Sequence, residues 1–132
     1  MSPAPGAHAA LWTAAALVAA MALKHFLADF VLQTDWMARG KGRARGWGGP
    51  LLAHAGCHAS LTLAVALAAA PGLWWLCAAD FVAHAAIDRA KAVVARRGGW
   101  TPDQPAFWRL LGLDQFLHHL TGVGLVLALL AP

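Results

Sequence analysis

Residues 51–95 read LLAHAGCHASLTLAVALAAAPGLWWLCAADFVAHAAIDRAKAVVA. Two runs rich in alanine and leucine meet at Pro71-Gly72, a dipeptide that stops a helix and makes a tight turn. Each run is close to the ~20 residues that cross a bilayer as a helix. Yet each carries ionisable groups spaced by four: His54 and His58 in the first, Asp80, His84 and Asp88 in the second. Residues four apart share a helix face, one turn above the other. The stretch therefore predicts two helices, apolar around most of their circumference, that turn a narrow His/Asp stripe inward.

Working outward, the same pattern recurs on both sides. Residues 9–32 form an apolar stretch with His25 and Asp29, and residues 106–131 form another with Asp114 and His118. With 51–70 and 73–95 this makes four spans. Helix is the expected form for each, because a lipid-crossing segment must satisfy its own backbone. The expected fold is all-α: a polytopic membrane four-helix bundle forming a single domain over residues 1–132. The first stretch has no basic leader, and Lys24, His25 and Asp29 lie where a cleavable signal should be plain, so it reads as a retained span.

Composition agrees. Of 132 residues, 60% are hydrophobic and 12% charged, with mean hydropathy +0.57. Soluble domains carry about 25% charged residues, so an ordinary water-soluble enzyme is excluded. Disorder and a disulfide scaffold are excluded too. Cys57 and Cys77 lie inside apolar runs and read as buried thiols.

The net charge of +4 would point to nucleic acid in a polar protein. Here the basic residues follow membrane topology instead. Arg39, Lys41, Arg43 and Arg45 lie between the first two spans, and Arg96 and Arg97 between the last two. Arg89 and Lys91 precede that second loop, and Arg109 follows it. The positive-inside rule puts both loops in the cytoplasm and both termini on the far side of the cytoplasmic membrane. Several of the seven Trp lie near span ends, as interfacial anchors do. Thr101-Pro102-Asp103 reads as a helix start capped by Asp103.

The spans hold five His/Asp pairs at spacing four. Random placement of these residue types would give roughly one. Asp at a span centre costs about 2.5–3.5 kcal/mol, so such groups default to function. A second regularity supports this. His25 to His84 and Asp29 to Asp88 are each 59 positions, and His54 to Asp114 and His58 to His118 are each 60. The chain reads as two pseudo-repeated helical hairpins. With alternating directions, all eight groups fall in the cytoplasmic half of the bundle.

The eight groups His25, Asp29, His54, His58, His84, Asp88, Asp114 and His118 are five imidazoles and three carboxylates. Mixed N/O donors suit one or two divalent transition metals, Zn first, with Mn or Fe as alternatives. Two metals sharing a carboxylate suit hydrolysis by an activated water. Asp29, Asp88 and Asp114 are then the candidate catalytic carboxylates. Asp80 is a candidate outer partner of His84. Gln33, Asp35, Lys91, Lys24 and Arg89 could face a substrate, the basic ones holding an anionic group.

A metal-free His–Asp network is the plainer alternative for the cluster. A bis-His haem fits poorly beside carboxylates, and His8 and His119 read as isolated histidines. The leading expectation is metal-dependent hydrolysis of a membrane-associated, amphiphilic or phosphorylated substrate. The alternatives are a metal-ion or proton transporter and a non-catalytic scaffold stabilised by metal. The outer halves of the spans are Ala, Leu and Val, which argues against a conduit. Membrane lipids are expected partners and nucleic acid is not; a homo-oligomer is compatible.

The run KHFLADFVLQTDWMA at residues 24–38 resembles the signature of a family of small bacterial membrane proteins of unknown function. LLAHAGCH, HAAIDRAK and LDQFLHH resemble its other motifs, so the likeness covers residues 24–121. More distantly the chain is similar to the bacterial inner-membrane metal-dependent hydrolase family, which also places H-x-x-x-D motifs in a helical membrane domain. The resemblance implies the eight groups above as site positions, together with Gln33, Asp35 and Gln115. It implies no particular substrate.

Overall fold

A computed structural model describes residues 5–131, so residues 1–4 and 132 of the expected domain lie outside the described residues. It is all-helical, with no strand among the described residues. The helices are α1 (Pro5–Phe26), α2 (Asp35–Gly40), α3 (Gly48–Ala69), α4 (Leu76–Gly98) and α5 (Pro105–Leu130). A π-helical turn, Leu27–Val31, extends α1, and a 3₁₀ turn, Pro71–Leu73, joins α3 to α4.

Three segments are long and apolar enough to cross a membrane: Gly6–Val31, Gly48–Ala69 and Pro105–Leu130. They make this a membrane protein. The stretch expected as the third of four spans departs from the others. α4 has spanning length, 23 residues, but it carries Asp80, Asp88, Arg89, Lys91, Arg96 and Arg97. Those charges lower its hydropathy, because two of them belong to the inner stripe and four lie in its last three turns.

α3 packs on α4, α4 on α5, α5 on α1, and α1 on α3. The polar distribution is inverted relative to a water-soluble protein. His54, His58 and Thr62 are fully buried, whereas Trp12, Phe30, Val82 and Leu127 are exposed. That exchange is stable only where the outer solvent is hydrocarbon. Cys57 and Cys77 are free thiols, half-buried rather than buried as the sequence suggests.

Along the bundle the interior is layered. Leu17 and Met21 of α1, Ala66 of α3, Leu76 of α4, and Leu125, Val126 and Leu129 of α5 form an apolar core at one end. Next come Lys24, Thr62 and Asp80, all buried. One turn further lie the histidines and the remaining inner aspartates. The loops 41–47 and 99–104 are at that end.

The first of these loops is held in place. Arg96 donates to the carbonyls of Gly42 and Arg43, Arg89 donates to Arg43, and Arg89 lies 4.0 Å from the centre of the Trp47 ring. At its other end α2 docks on α3 through Gly40, where an added Cβ would stand 2.4 Å from Pro50 Cγ. Gly40→Ala should therefore force α2 off α3 and cost about 1–3 kcal/mol, the usual range for overpacking. Thermal unfolding in detergent checks this; an unchanged midpoint would mean that α2 is not docked there.

α4 ends at Gly99, whose φ of +62° is the left-handed conformation that suits glycine. The start of α5 corrects one expectation. Its N-cap is Gln104, without a side-chain cap. Asp103 instead accepts from the Thr101 hydroxyl, which holds its carboxyl below the ordinary range.

Candidate metal centre

Six of the cluster residues reach the site by the same device. Steps of four place His54 and His58 on one face of α3, His84 and Asp88 on one face of α4, and Asp114 and His118 on one face of α5. His25 lies in the last turn of α1, and Asp29 in the π turn that follows. In that turn Leu32 N–H bonds back to Leu27 O at 2.9 Å, a wider ring than an α-helix makes. Thr34 then accepts from Met37 N–H and starts α2.

The donor atoms converge. Asp29 Oδ1 lies 3.1 Å from His58 Nε2 and 3.3 Å from His54 Nε2. His54 Nε2 is 3.3 Å from His84 Nε2 and 3.5 Å from Asp88 Oδ2. Asp88 Oδ1 is 3.4 Å from His118 Nε2, which is 3.6 Å from Asp114 Oδ1. His25 Nε2 is 3.0 Å from Asp29 Oδ2. His84 is the middle of a stack of three rings, with centroids 3.6 Å from His58 and 4.0 Å from His118.

Two overlapping groups have the geometry to hold an ion: Asp29, His54, His58 and His84; and His84, Asp88 and His118. His84 belongs to both. The spacing is itself informative. Tetrahedral ligands with bonds of ~2.0–2.1 Å stand about 3.3–3.4 Å apart; His54 meets that value with both Asp29 and His84, at 3.3 Å each, and the Asp29–His58 separation is slightly shorter at 3.1 Å. Asp114 Oδ1 is buried without a hydrogen-bond partner, an acceptor that a cation would satisfy. One feature departs from the usual pattern. Metal-bound imidazoles normally anchor their second nitrogen on a carbonyl or carboxylate, whereas Nδ1 of His54 and of His58 is buried without a partner. Close packing holds these two rings.

Three lysines counter the aspartates. Lys24 pairs with Asp80, Lys41 Nζ with Asp88 Oδ2 at 2.9 Å, and Lys91 Nζ with Asp114 Oδ2 at 3.1 Å. Lys41 was missed by the sequence, where it counted only as loop charge. Thr62 was also missed; its hydroxyl donates to Asp80 at 2.6 Å. Two expectations are corrected here. Asp80 does not serve His84, because Lys24 and Thr62 occupy its carboxylate from α1 and α3. Lys24 is spent on that pair and is not among the residues that line the cavity beside the cluster, although it also lines a groove between α1 and α5.

Asp35 also lies apart. It is exposed at the start of α2 and pairs with Arg39 at 3.1 Å. Arg89 is engaged with Trp47 and the loop, not with the cluster. Gln33 and Gln115 do join the cluster. Gln33 Nε2 donates to Asp29 O at 3.1 Å; Gln115 donates to Asp114 Oδ2 at 3.1 Å and faces His25 Nε2 at 3.4 Å.

A cavity of about 210 Å³ opens beside the cluster, lined by Gln33, Lys41, Lys91 and Gln115 together with Asp29, Asp88, Asp114 and His118. A family profile described as "Protein of unknown function (DUF3307)" matches residues 17–130. No curated protein and no solved structure matches the chain.

Proposed function

This chain belongs to the DUF3307 family, and from that premise we propose that it is a membrane metalloprotein holding one or two divalent transition-metal ions within its helices. The observation that carries the reading is the set of Nε2 and Oδ atoms from four elements at ligand–ligand spacing, with His84 common to both groups. Thiolates are absent from the set, and imidazole with carboxylate suits Zn, Mn or Fe.

The architecture that goes with this reading is a four-helix bundle in which α4 is a fourth span. Its lysine and histidine partners neutralise Asp80 and Asp88, and neutralisation lowers the cost of their insertion. We read α1–α3 and α4–α5 as two copies of one hairpin, the basic loops as cytoplasmic and the termini as outside a bacterial inner membrane.

The chemistry such a centre supports is hydrolysis. The cavity beside it gives room for a substrate, and Asp29, Asp88 and Asp114, which line it, are our candidates to take a proton from water. A transporter is disfavoured by the apolar core from Leu17 to Leu129, which lies across the other end of the bundle.

Elemental analysis of the protein purified in detergent tests the reading. We expect a transition metal at a stoichiometry of one or two, removable by a chelator. Protein that is folded and binds no transition metal, as purified or after addition of Zn, Mn or Fe, would overturn it.

A further inference from the structure

The metal reading does not use a second cavity. This groove, of about 250 Å³, runs between α1 and α5. Val18, Met21 and Ala22 wall it on α1, and Gly122 and Val123 on α5. It ends at His25 and His118. His118 also lines the cavity beside the cluster, so the two spaces meet at that ring. The His25–Gln115 contact stands at the same junction, with one residue on each side.

The two spaces differ in chemistry. The groove is walled mainly by apolar side chains, with Lys24 and His119 also lining it beside His25 and His118, and it lies between helices that both have the length and apolarity to span a membrane. The cavity carries two ammonium groups, Lys41 and Lys91, and the amides of Gln33 and Gln115. Both lysines now rest on aspartate oxygens, Asp88 Oδ2 and Asp114 Oδ2. Asp88 belongs to the second ion-holding group, while Asp114 lies outside both groups, beside His118 and with its Oδ1 unpartnered; a divalent ion that drew on both carboxylates would leave both ammonium groups facing the cavity without their present partners. An anionic head group then restores the balance, and a phosphate accepts several such hydrogen bonds at once.

We propose that the site binds a membrane lipid with a phosphate head group, its chain in the α1/α5 groove and its head between Lys41 and Lys91. The inference rests on the metal reading, because the cation is what frees the lysines. Gly122 is the position that tests the groove. A Cβ there meets only Met21 Cβ, at 3.8 Å, so a larger side chain enters the slot without a backbone clash.

The experiment uses the full chain in nanodiscs of zwitterionic lipid, loaded with metal and titrated with dodecyl phosphate, dodecyltrimethylammonium or inorganic phosphate. Wild type should prefer dodecyl phosphate to dodecyltrimethylammonium by at least tenfold. Gly122→Leu should weaken dodecyl phosphate at least tenfold and leave inorganic phosphate unchanged. Lys41→Met with Lys91→Met should weaken both phosphates. Metal content is measured on the same samples. Protein that holds metal but lacks the preference, or a Gly122→Leu variant that binds dodecyl phosphate like wild type, overturns the lipid inference and leaves the metal reading standing. Binding of inorganic phosphate as tight as that of dodecyl phosphate places a free anion, not a lipid, in the cavity and overturns it equally. Protein that takes up no metal overturns the metal reading, and the release of the lysines with it.

Discussion

Lys24→Met should lower the stability of the protein by about 3–5 kcal/mol, the range for removing one partner of a buried ion pair. The side chains of Lys24 and Asp80 are 7% and 3% exposed. Without the ammonium, the buried Asp80 carboxylate keeps only the Thr62 hydroxyl. The loss is one of desolvation left uncompensated, so removing the charge on both sides should reverse it. Lys24→Met combined with Asp80→Asn leaves an amide oxygen for Thr62 and no charge. It should recover most of the loss, since neutral replacements of buried pairs are often harmless. Unfolding in detergent, by heat or denaturant, measures all three proteins. A single variant within about 0.5 kcal/mol of wild type, the scatter of ordinary surface changes, would show that water reaches this pair.

His84→Ala should abolish metal binding, with affinity reduced by at least about 100-fold, the upper end of what even an outer partner is worth. His84 belongs to both candidate ligand groups and its ring lies between those of His58 and His118. No other residue has that double membership. His118→Ala should behave differently, since Asp29, His54, His58 and His84 remain; it should lose one ion at most. Metal content of the folded variants, with helicity checked by circular dichroism, separates the two cases. Full metal retention in His84→Ala would refute the shared-ligand arrangement. Near-complete loss in His118→Ala would place the principal ion in the group containing Asp88.

Much of this was legible in the sequence because helices make side-chain direction periodic. A stripe at spacing four in an apolar run has one inward face to occupy, so His54, His58, His84, Asp88, Asp114 and His118 could be placed on a common seam before any coordinates. What the sequence hid were contacts between elements. Lys41 lies 47 positions from Asp88 and belongs to a loop whose charges already had a topological explanation. Asp80 stands one turn from His84 on α4, which made that histidine the natural partner. Only the level of Lys24 on α1 and Thr62 on α3, set by packing, assigns it elsewhere. Asp35 was misplaced for a local reason. Asp35 follows Asp29 by six positions and Gln33 by two, but Thr34 caps a new helix between them and turns the chain away.

The apolar core from Leu17 to Leu129 has a consequence for ion exchange. On the metal reading proposed above, an ion held at the His/Asp level would have that core between it and the far end of the helices, so the concentration difference across the membrane would not drive it through. Its occupancy would follow the free-ion activity at the loop end, as for a buffer open to one compartment.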